Sequence, residues 1–307
     1  MKMKTNKYLT MAVTALMMAA CSSEDVPQVD SATNTPIQIH AMVAELESRA
    51  GYGGTVLPDN FYLSVANTNN PTYSYPNVQV TKSGSGWEPT SPMYWQNSTT
   101  EVTVTAATFS LDGARDLAVQ TDQSTDTNVK LSDHLYMEEG EQTYAEVESV
   151  KAAGAINVNF SHLMSKVNLT ITLADEFYAT ENPISDVTFQ GTVDSRNYNA
   201  GTWTDIDGVT ATDIIPFEDA YTAPTQANPN ATATYEVILV PQTISSGFAI
   251  QFKIGNRMFK WTSTGEVELD SGKQYTLALT AGDDKVSGAS FSSTAWGDGG
   301  NNNVATE

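Results

Sequence analysis

The strongest constraint on this fold is the return of an apolar residue at every second position. Val167, Leu169, Ile171 and Leu173 alternate without a break, and Phe248, Ile250, Phe252 and Ile254 do the same. Only an extended chain puts residues i, i+2 and i+4 on one face, so such runs specify half-buried strands. Shorter runs repeat the pattern: Ile37 to Val43; Phe61, Leu63 and Val65; Val78 and Val80; Val102, Val104 and Ala106; Ile156, Val158 and Phe160. Val187, Phe189 and Val193 follow, with Gly191 read as a bulge. Tyr235 to Val240 is apolar on both faces after Glu236, which predicts a central strand stopped by Pro241. Gly255-Asn256 predicts a tight hairpin between the run ending at Ile254 and the return from Met258 to Trp261. Val267 with Leu269, and Tyr275 with Leu277 and Leu279, complete the set. Glycine, proline and asparagine clusters separate these runs, and no long amphipathic helix interrupts them. Residues 110–150 are the least strand-like: Asp133 to Met137 predicts a turn and a short strand, and Tyr144 to Lys151 one or two helical turns. The reading is mostly β, two tandem β-sandwiches at residues 37–154 and 155–307 with a seam near Gly154.

The N-terminus has a different grammar. Lys2, Lys4 and Lys7 precede an apolar run from Tyr8 to Ala20, too short to cross a bilayer as a helix. Positive, then apolar, then small residues is the order of an export signal, which assigns residues 1–20 to it. Cys21 follows Ala19-Ala20 and is the single cysteine of 307 residues. The stretch Leu16 to Cys21 resembles a bacterial lipobox, in which the thiol is thioether-linked to diacylglycerol and cleavage leaves Cys21 first. The alternative is an ordinary secretory signal with an incidental cysteine. Acyl chains hold a protein to a membrane through about 0.8 kcal/mol per buried methylene. Residues 21–36, with Pro27, Pro36 and many small polar residues, read as a flexible tether. Within it Ser22-Ser23-Glu24-Asp25 resembles the acidic lead that sends some lipoproteins to the outer face of the outer membrane. Asp30-Ser31-Ala32 resembles a bacterial O-glycosylation motif, but three residues specify little and plain linker sequence is the better reading.

Charge narrows the partners. Removing the signal leaves 12 of the 15 basic residues against all 36 acidic ones. Such a surface repels phosphate backbones, so nucleic acid is excluded as a partner. Charged residues are nonetheless only 17% of the chain, below the usual quarter, and threonine, serine and asparagine supply the remaining polarity, as in exported β-proteins.

No motif commits the chain to catalysis. His40, His134 and His162 lack zinc-ligand spacing. Ser161 and His162 are neighbours on one strand, whereas a nucleophile and its base are brought together in space, so His162 is read as a hydrogen-bonded core residue. Asp205-Ile206-Asp207-Gly208 resembles part of a calcium loop without the later ligands. Asp283-Asp284 and Asp298 are either a weak calcium site or solvated turn acids. No carboxylate pair stands out as glycosidase-like, and glycine is scattered at turns rather than gathered in a phosphate cradle. The expectation is no enzyme, no cofactor and no metal. Trp87, Tyr94, Trp95, Trp203, Trp261 and Trp296 either face sugars or fill the cores.

Taken together, the motifs resemble the fimbrillin-like family, subunits and relatives of type V pili from Gram-negative anaerobes. The lipobox leads into an opening strand ended by Ser48-Arg49-Ala50, and Gly86-Trp87 is followed by Tyr94-Trp95. Asp133-x-Leu135 precedes Phe160 to Val167; Val240-Pro241-Gln242 precedes Gly272-Lys273-Gln274-Tyr275; Trp296-Gly297 stands near the end. The resemblance implies two β-sandwich domains of transthyretin-like or Greek-key type and export as a lipoprotein to the outer membrane surface and the fimbrium. It also implies cleavage after an arginine by a trypsin-like protease, loss of the opening strand, and entry of a strand from another pilus subunit into the vacated groove. On this chain the departing strand is Ile37 to Val43 and the cut is Arg49-Ala50. Arg49 also reads as a solvated loop residue. Gly297 to Asn303 offers little to insert elsewhere, which favours a tip, accessory or non-polymerising member over a shaft subunit. The rival reading is a surface glycan-binding lipoprotein that never polymerises; the third is a lipid-anchored hydrolase. The partners implied are other pilus subunits and a receptor that is either glycan or protein.

Overall fold

A computed structural model of the chain describes residues 32–43, 51–53, 56–142, 154–226, 229–282, 285–287 and 291–296. The signal, Cys21, Ser31, the Arg49-Ala50 bond, Tyr144 to Lys151, Asp283-Asp284 and Asp298 lie outside the described residues. The alternating runs are strands. The first half contains β1 Gln38–Val43, β2 Asn60–Ala66, β3 Tyr75–Ser83, β4 Gly86–Pro89, β5 Val102–Ala107, β6 Arg115–Ala118, α1 Asp126–Ser132, β7 Leu135–Gln142 and β8 Ala155–His162. The second contains β9 Ser165–Leu173, β10 Ile184–Thr192, β11 Ser195–Asn199, β12 Thr202–Thr204, β13 Thr212–Ile214, β14 Phe217–Thr222 and β15 Ala231–Leu239. After these come β16 Gln242–Ile244, β17 Ala249–Ile254, β18 Arg257–Thr262, β19 Val267–Leu269, β20 Lys273–Gly282, β21 Lys285–Ser287 and β22 Phe291–Ala295.

The first core is wrapped by one seven-stranded sheet in the order β1-β8-β7-β5-β2-β3-β4. Its terminal strands β1 and β4 come close to one another, so the sheet curls toward closure. That corrects the expectation of two separate facing sheets here. The closure comes from the segment before β1: Asn34 to Ile37 pairs with Met93 to Trp95, which follow β4. Alternation fills the interior with Phe61, Leu63, Val65, Val104, Val158 and Phe160.

The second core is shared by a sheet β13-β10-β17-β18 and a sheet β14-β15-β9-β20-β21, with β22 also paired to β20. Val167, Leu169 and Ile171 of β9 face Phe189, Ile250 and Phe252 in one buried cluster. β15 lies between β14 and β9, the central place its two-sided apolarity predicts. Ile254 and Arg257 pair across Gly255-Asn256, closing the expected hairpin. Gly191 sits where β10 breaks register with β13. Its φ is +84°, and a Cβ there would stand 2.4 Å from the Gly247 carbonyl oxygen, so only glycine fits the bulge.

Two stretches cross the expected seam. β8, assigned above to the second unit, pairs with β1 and β7 and buries Ile156, Val158 and Phe160 in the first core. Conversely β6 pairs with β11, and Leu117, Val119 and Val129 are buried in the second core. Alternation identifies a strand but carries no information about which sheet it joins. The helix α1 is set by local chemistry that hydrophobic periodicity misses. The Thr125 hydroxyl accepts from the Asn128 N–H at 3.3 Å, and Asp126 pairs with Lys130 at 2.6 Å one turn on.

Three buried glutamines complete ladders that strands leave unfinished. The Gln142 side chain donates to the Asn157 carbonyl at 2.8 Å and accepts from the Asn157 N–H at 2.8 Å. Gln123 does the same to Ile238, at 2.7 and 2.9 Å. Gln242 accepts from the Val193 N–H at 3.0 Å and donates to its carbonyl at 3.3 Å. Each target lies past the end of a pairing: β14 reaches β15 only as far as Glu236, and β7 meets β8 only at His162 and Ser161. A primary amide carries one donor direction and one acceptor in the geometry of a peptide group, so it stands in for a missing strand residue.

Replacing Gln123 with leucine keeps the volume and orphans the Ile238 N–H and carbonyl. Each buried unpaired group costs about 1–3 kcal/mol, so Gln123→Leu is expected to lose about 2–6 kcal/mol in urea-unfolding measurements. Surface glutamine substitutions should leave the unfolding midpoint where it is.

Candidate functional site: the first strand and its slot

β1 is the terminal strand of its sheet and runs parallel to β8, from Gln38 opposite Ala155 to Val43 opposite Phe160. Its lead-in is antiparallel to the segment after β4. The Asn34 N–H donates to the Trp95 carbonyl, the Trp95 N–H to that of Thr35, and the Ile37 N–H to that of Met93, each at 2.9 Å. Residues 34–43 therefore lie between two backbones and seal the curl of the sheet.

The side chains divide as period two requires. Ile37, Ile39 and Val43 are buried in the first core, while His40 points to solvent and Met42 is 55% exposed. Burial of three such side chains contributes on the order of 5–9 kcal/mol, at about 1.5–3 each. That is comparable with the whole stability of a typical domain, about 5–15 kcal/mol. A lobe stripped of β1 would expose the β8 edge, Met93 and Trp95, and would need a substitute strand. Trp95 is 1% exposed and donates its indole N–H to the Gly154 carbonyl at 2.9 Å, which fixes the slot's far wall.

Past the expected cut, the chain is anchored again at once. The Tyr52 N–H donates to Asp133 Oδ2 at 3.0 Å, and Gly53 and Val56 exchange hydrogen bonds at 3.0 and 2.8 Å. Burial first, then the carboxylates of Asp133 and Asp59, pushes the Tyr52 phenol above its ordinary pKa. The other Asp133 oxygen, Oδ1, lies 2.8 Å from His162 Nδ1, and both side chains are fully buried. The imidazole stacks on Trp296 with ring centroids 3.8 Å apart and planes 3° from parallel. Lys166 Nζ stands 5.8 Å from the Trp296 ring and 3.2 Å from Glu236. The Trp296 N–H donates to the Gly272 carbonyl at 2.8 Å. Gly272 has φ +68°, and a Cβ on it would sit 3.1 Å from the His162 carbonyl oxygen.

The short motifs at 133, 160–167, 272 and 296 thus converge on one buried junction between the two cores. His162 is the core histidine expected. The other histidines stand apart from it: His40 is exposed on β1, and His134 Nε2 donates to the Ala118 carbonyl at 3.0 Å, with burial holding its pKa below the usual value. Among the described residues no group of three or more His, Cys, Asp or Glu side chains could hold a metal. Asp205 is engaged by Arg196, at 2.9 Å from Nε and 2.8 Å from Nη2. Of the aromatic residues, Trp95 and Trp296 are core, Trp87, Trp203 and Trp261 are half-buried, and Tyr94 is 39% exposed. Sequence reasoning missed the Tyr52 anchor, because nothing local links it to a carboxylate 81 residues away. No helix among the described residues is long and apolar enough to cross a membrane.

No curated protein matches the chain by sequence. Among solved structures, a Bacteroides ovatus protein provisionally described as a cell adhesion protein is similar at 18% identity and TM-score 0.61, over 86% of this chain and 98% of that one. A Bacteroides uniformis protein with the same provisional description is similar at 16% identity and TM-score 0.55, over 85% and 98%. At these identities the likeness is one of fold. The sequence pattern of the fimbrillin-like family matches residues 48–296, and the chain belongs to that family.

Proposed function

We propose that the protein is a surface lipoprotein of the pilus system, an accessory or tip subunit that is assembled by strand exchange after losing β1. The observation that carries this reading is the position of β1. It is a sheet-terminal strand that, with Ile37 just before it, buries three side chains, and it is followed closely by Arg49. Cutting at Arg49-Ala50 would separate residues 21–49 from the rest while the Tyr52–Asp133 bond held the new N-terminus in place. An incoming extended segment would meet main-chain partners on β8 and at Met93 to Trp95, and apolar sockets at alternate positions.

The accessory or tip assignment is supported by the other end of the described chain. β22 pairs with Lys273 to Leu277, Phe291 stacks on Tyr275 at 5.0 Å, and Trp296 is buried. These apolar residues serve their own lobe rather than a neighbour. Within this reading the second lobe, two sheets around one core, is the sandwich domain of the pair, and Cys21 carries the lipid that brings the molecule to the outer membrane.

Limiting trypsin on the purified protein is expected to cut once, after Arg49, and to yield ladders that grow with concentration and survive warm detergent. Arg49→Ala should give neither cut nor ladder. Cleaved protein that stays monomeric with the 21–49 fragment still bound would overturn strand exchange.

The anchor is tested separately in cells fed a clickable fatty acid. Labelling is expected for the wild type and absent for Cys21→Ala; label retained in Cys21→Ala would refute the lipid assignment.

A further inference from the structure

A cleft of about 650 Å³ opens beside Trp203 in the second half of the chain. Its size lies within the roughly 300–1,000 Å³ of small-ligand sites. It is lined from the β11–β12 hairpin, the loop Asp205 to Val209, the segment Pro241 to Ser246 and the segment Glu268 to Ser271. We propose that this cleft binds a neutral oligosaccharide.

The lining chemistry selects that ligand class. Its apolar part includes the half-buried indole of Trp203 with Val193, Ile206, Val209, Ile244 and Leu269. Its polar part is mainly hydroxyl and carboxylate, from Thr243, Ser245, Ser246, Ser271, Glu268 and Asp270, with the Gln242 amide and the Arg196 guanidinium beside them. A pyranose has this same duality, an apolar C–H face edged by hydroxyls that need donors and acceptors, and an aromatic ring beside polar groups matches it. Charge excludes the acidic alternatives. Arg196 is the one cation of the lining, and all its nitrogens are committed: Nε and Nη2 to Asp205 at 2.9 and 2.8 Å, Nη1 to the Pro241 carbonyl at 2.7 Å. Glu268 and Asp270 are exposed and form no ion pair among the described residues, so the cleft repels phosphate, sulfate and uronate.

Trp203 itself points the same way. Its indole N–H is buried and finds no acceptor in the protein. Such an orphan donor costs about 1–3 kcal/mol, which a phenylalanine packed on Tyr198 in the same place would avoid. The larger ring is therefore kept against a stability cost, as expected where the ring face has work at the surface. The cleft is separate from the strand slot: its lining runs from Gly191 to Ser271 and includes nothing from β1, β8 or Met93 to Trp95.

The test uses the full mature chain on a printed array of neutral and acidic host and microbial glycans, followed by tryptophan-fluorescence titration of each hit, with pentalysine as a basic-peptide control. Neutral glycans are expected to bind, and Glu268→Gln with Asp270→Asn, both on exposed side chains, to weaken the best hit tenfold or more. Trp203→Phe should abolish most of the fluorescence response with the unfolding midpoint kept or raised. Hits confined to acidic glycans, binding of pentalysine alone, no hit at all, or affinity unchanged in the Glu268→Gln/Asp270→Asn variant would each overturn the assignment. Arg49→Ala protein, blocked in processing, should bind as the wild type does, which separates this site from strand exchange.

Discussion

Every buried peptide group must find a hydrogen-bond partner, and that single requirement shapes this molecule more than any side-chain contact. Sheets satisfy it along their lengths, but short and irregular strands stop before their neighbours do. Gln123, Gln142 and Gln242 each reach one backbone residue with both ends of the amide, at Ile238, Asn157 and Val193. Gln123 comes from the first half of the sequence and its target from the second, so the same device ties the segment around α1 to the far core. A leucine would fill the space and leave two groups stranded; an ordinary loop would bring water. Glutamine is the residue that meets both demands.

The same requirement gives β1 its significance. Within its sheet it supplies partners to β8 on one side and, through its lead-in, to Met93 to Trp95 on the other. Nothing else among the described residues could replace it there, because β4, the opposite terminus, is already joined to β3. If β1 is removed, the cost is two unsatisfied backbones and an open core together. A strand from another chain answers both at once, whereas a side-chain patch answers neither. On the proposed reading, assembly is driven by the lobe's need to complete its own fold.

The strands were legible because period two is enforced locally by burial of one face. Val167 to Leu173 and Phe248 to Ile254 could be placed without knowing what covers them. Sheet membership was not legible: Ala155 to His162 looks the same on paper whether it joins the first core or the second, and it joins the first. The helix at Asp126 to Ser132 was invisible to periodicity, since it buries only Val129 and Ser132 and is held by its cap and one ion pair. The junction was half visible. Asp133, His162, Gly272 and Trp296 stood out as separate short motifs, but their meeting depends on contacts spanning most of the chain. Each is short because each contributes one surface to a shared packing site: a carboxylate for the imidazole, a ring for its face, a glycine so that the strands can close over it.

On the proposed reading, that junction would let one lobe be remodelled while the other stays intact. Asp133 sits between the Tyr52 N–H, just beyond the expected cut, and His162 at the end of β8. His162 is in turn clamped by Trp296, which directly follows β22 of the second lobe. The chain downstream of Arg49 is therefore pinned to the second core by contacts that do not include β1. Loss of the first strand would open the first sheet along β8 without loosening this pin, and the cleft beside Trp203, lined by residues from Gly191 to Ser271, would keep its shape. On the proposed reading, β1 and the cleft share no lining residue, so the chain could assemble with one lobe and bind with the other. The buried Asp133–His162–Trp296 stack would then be what keeps both roles on one molecule.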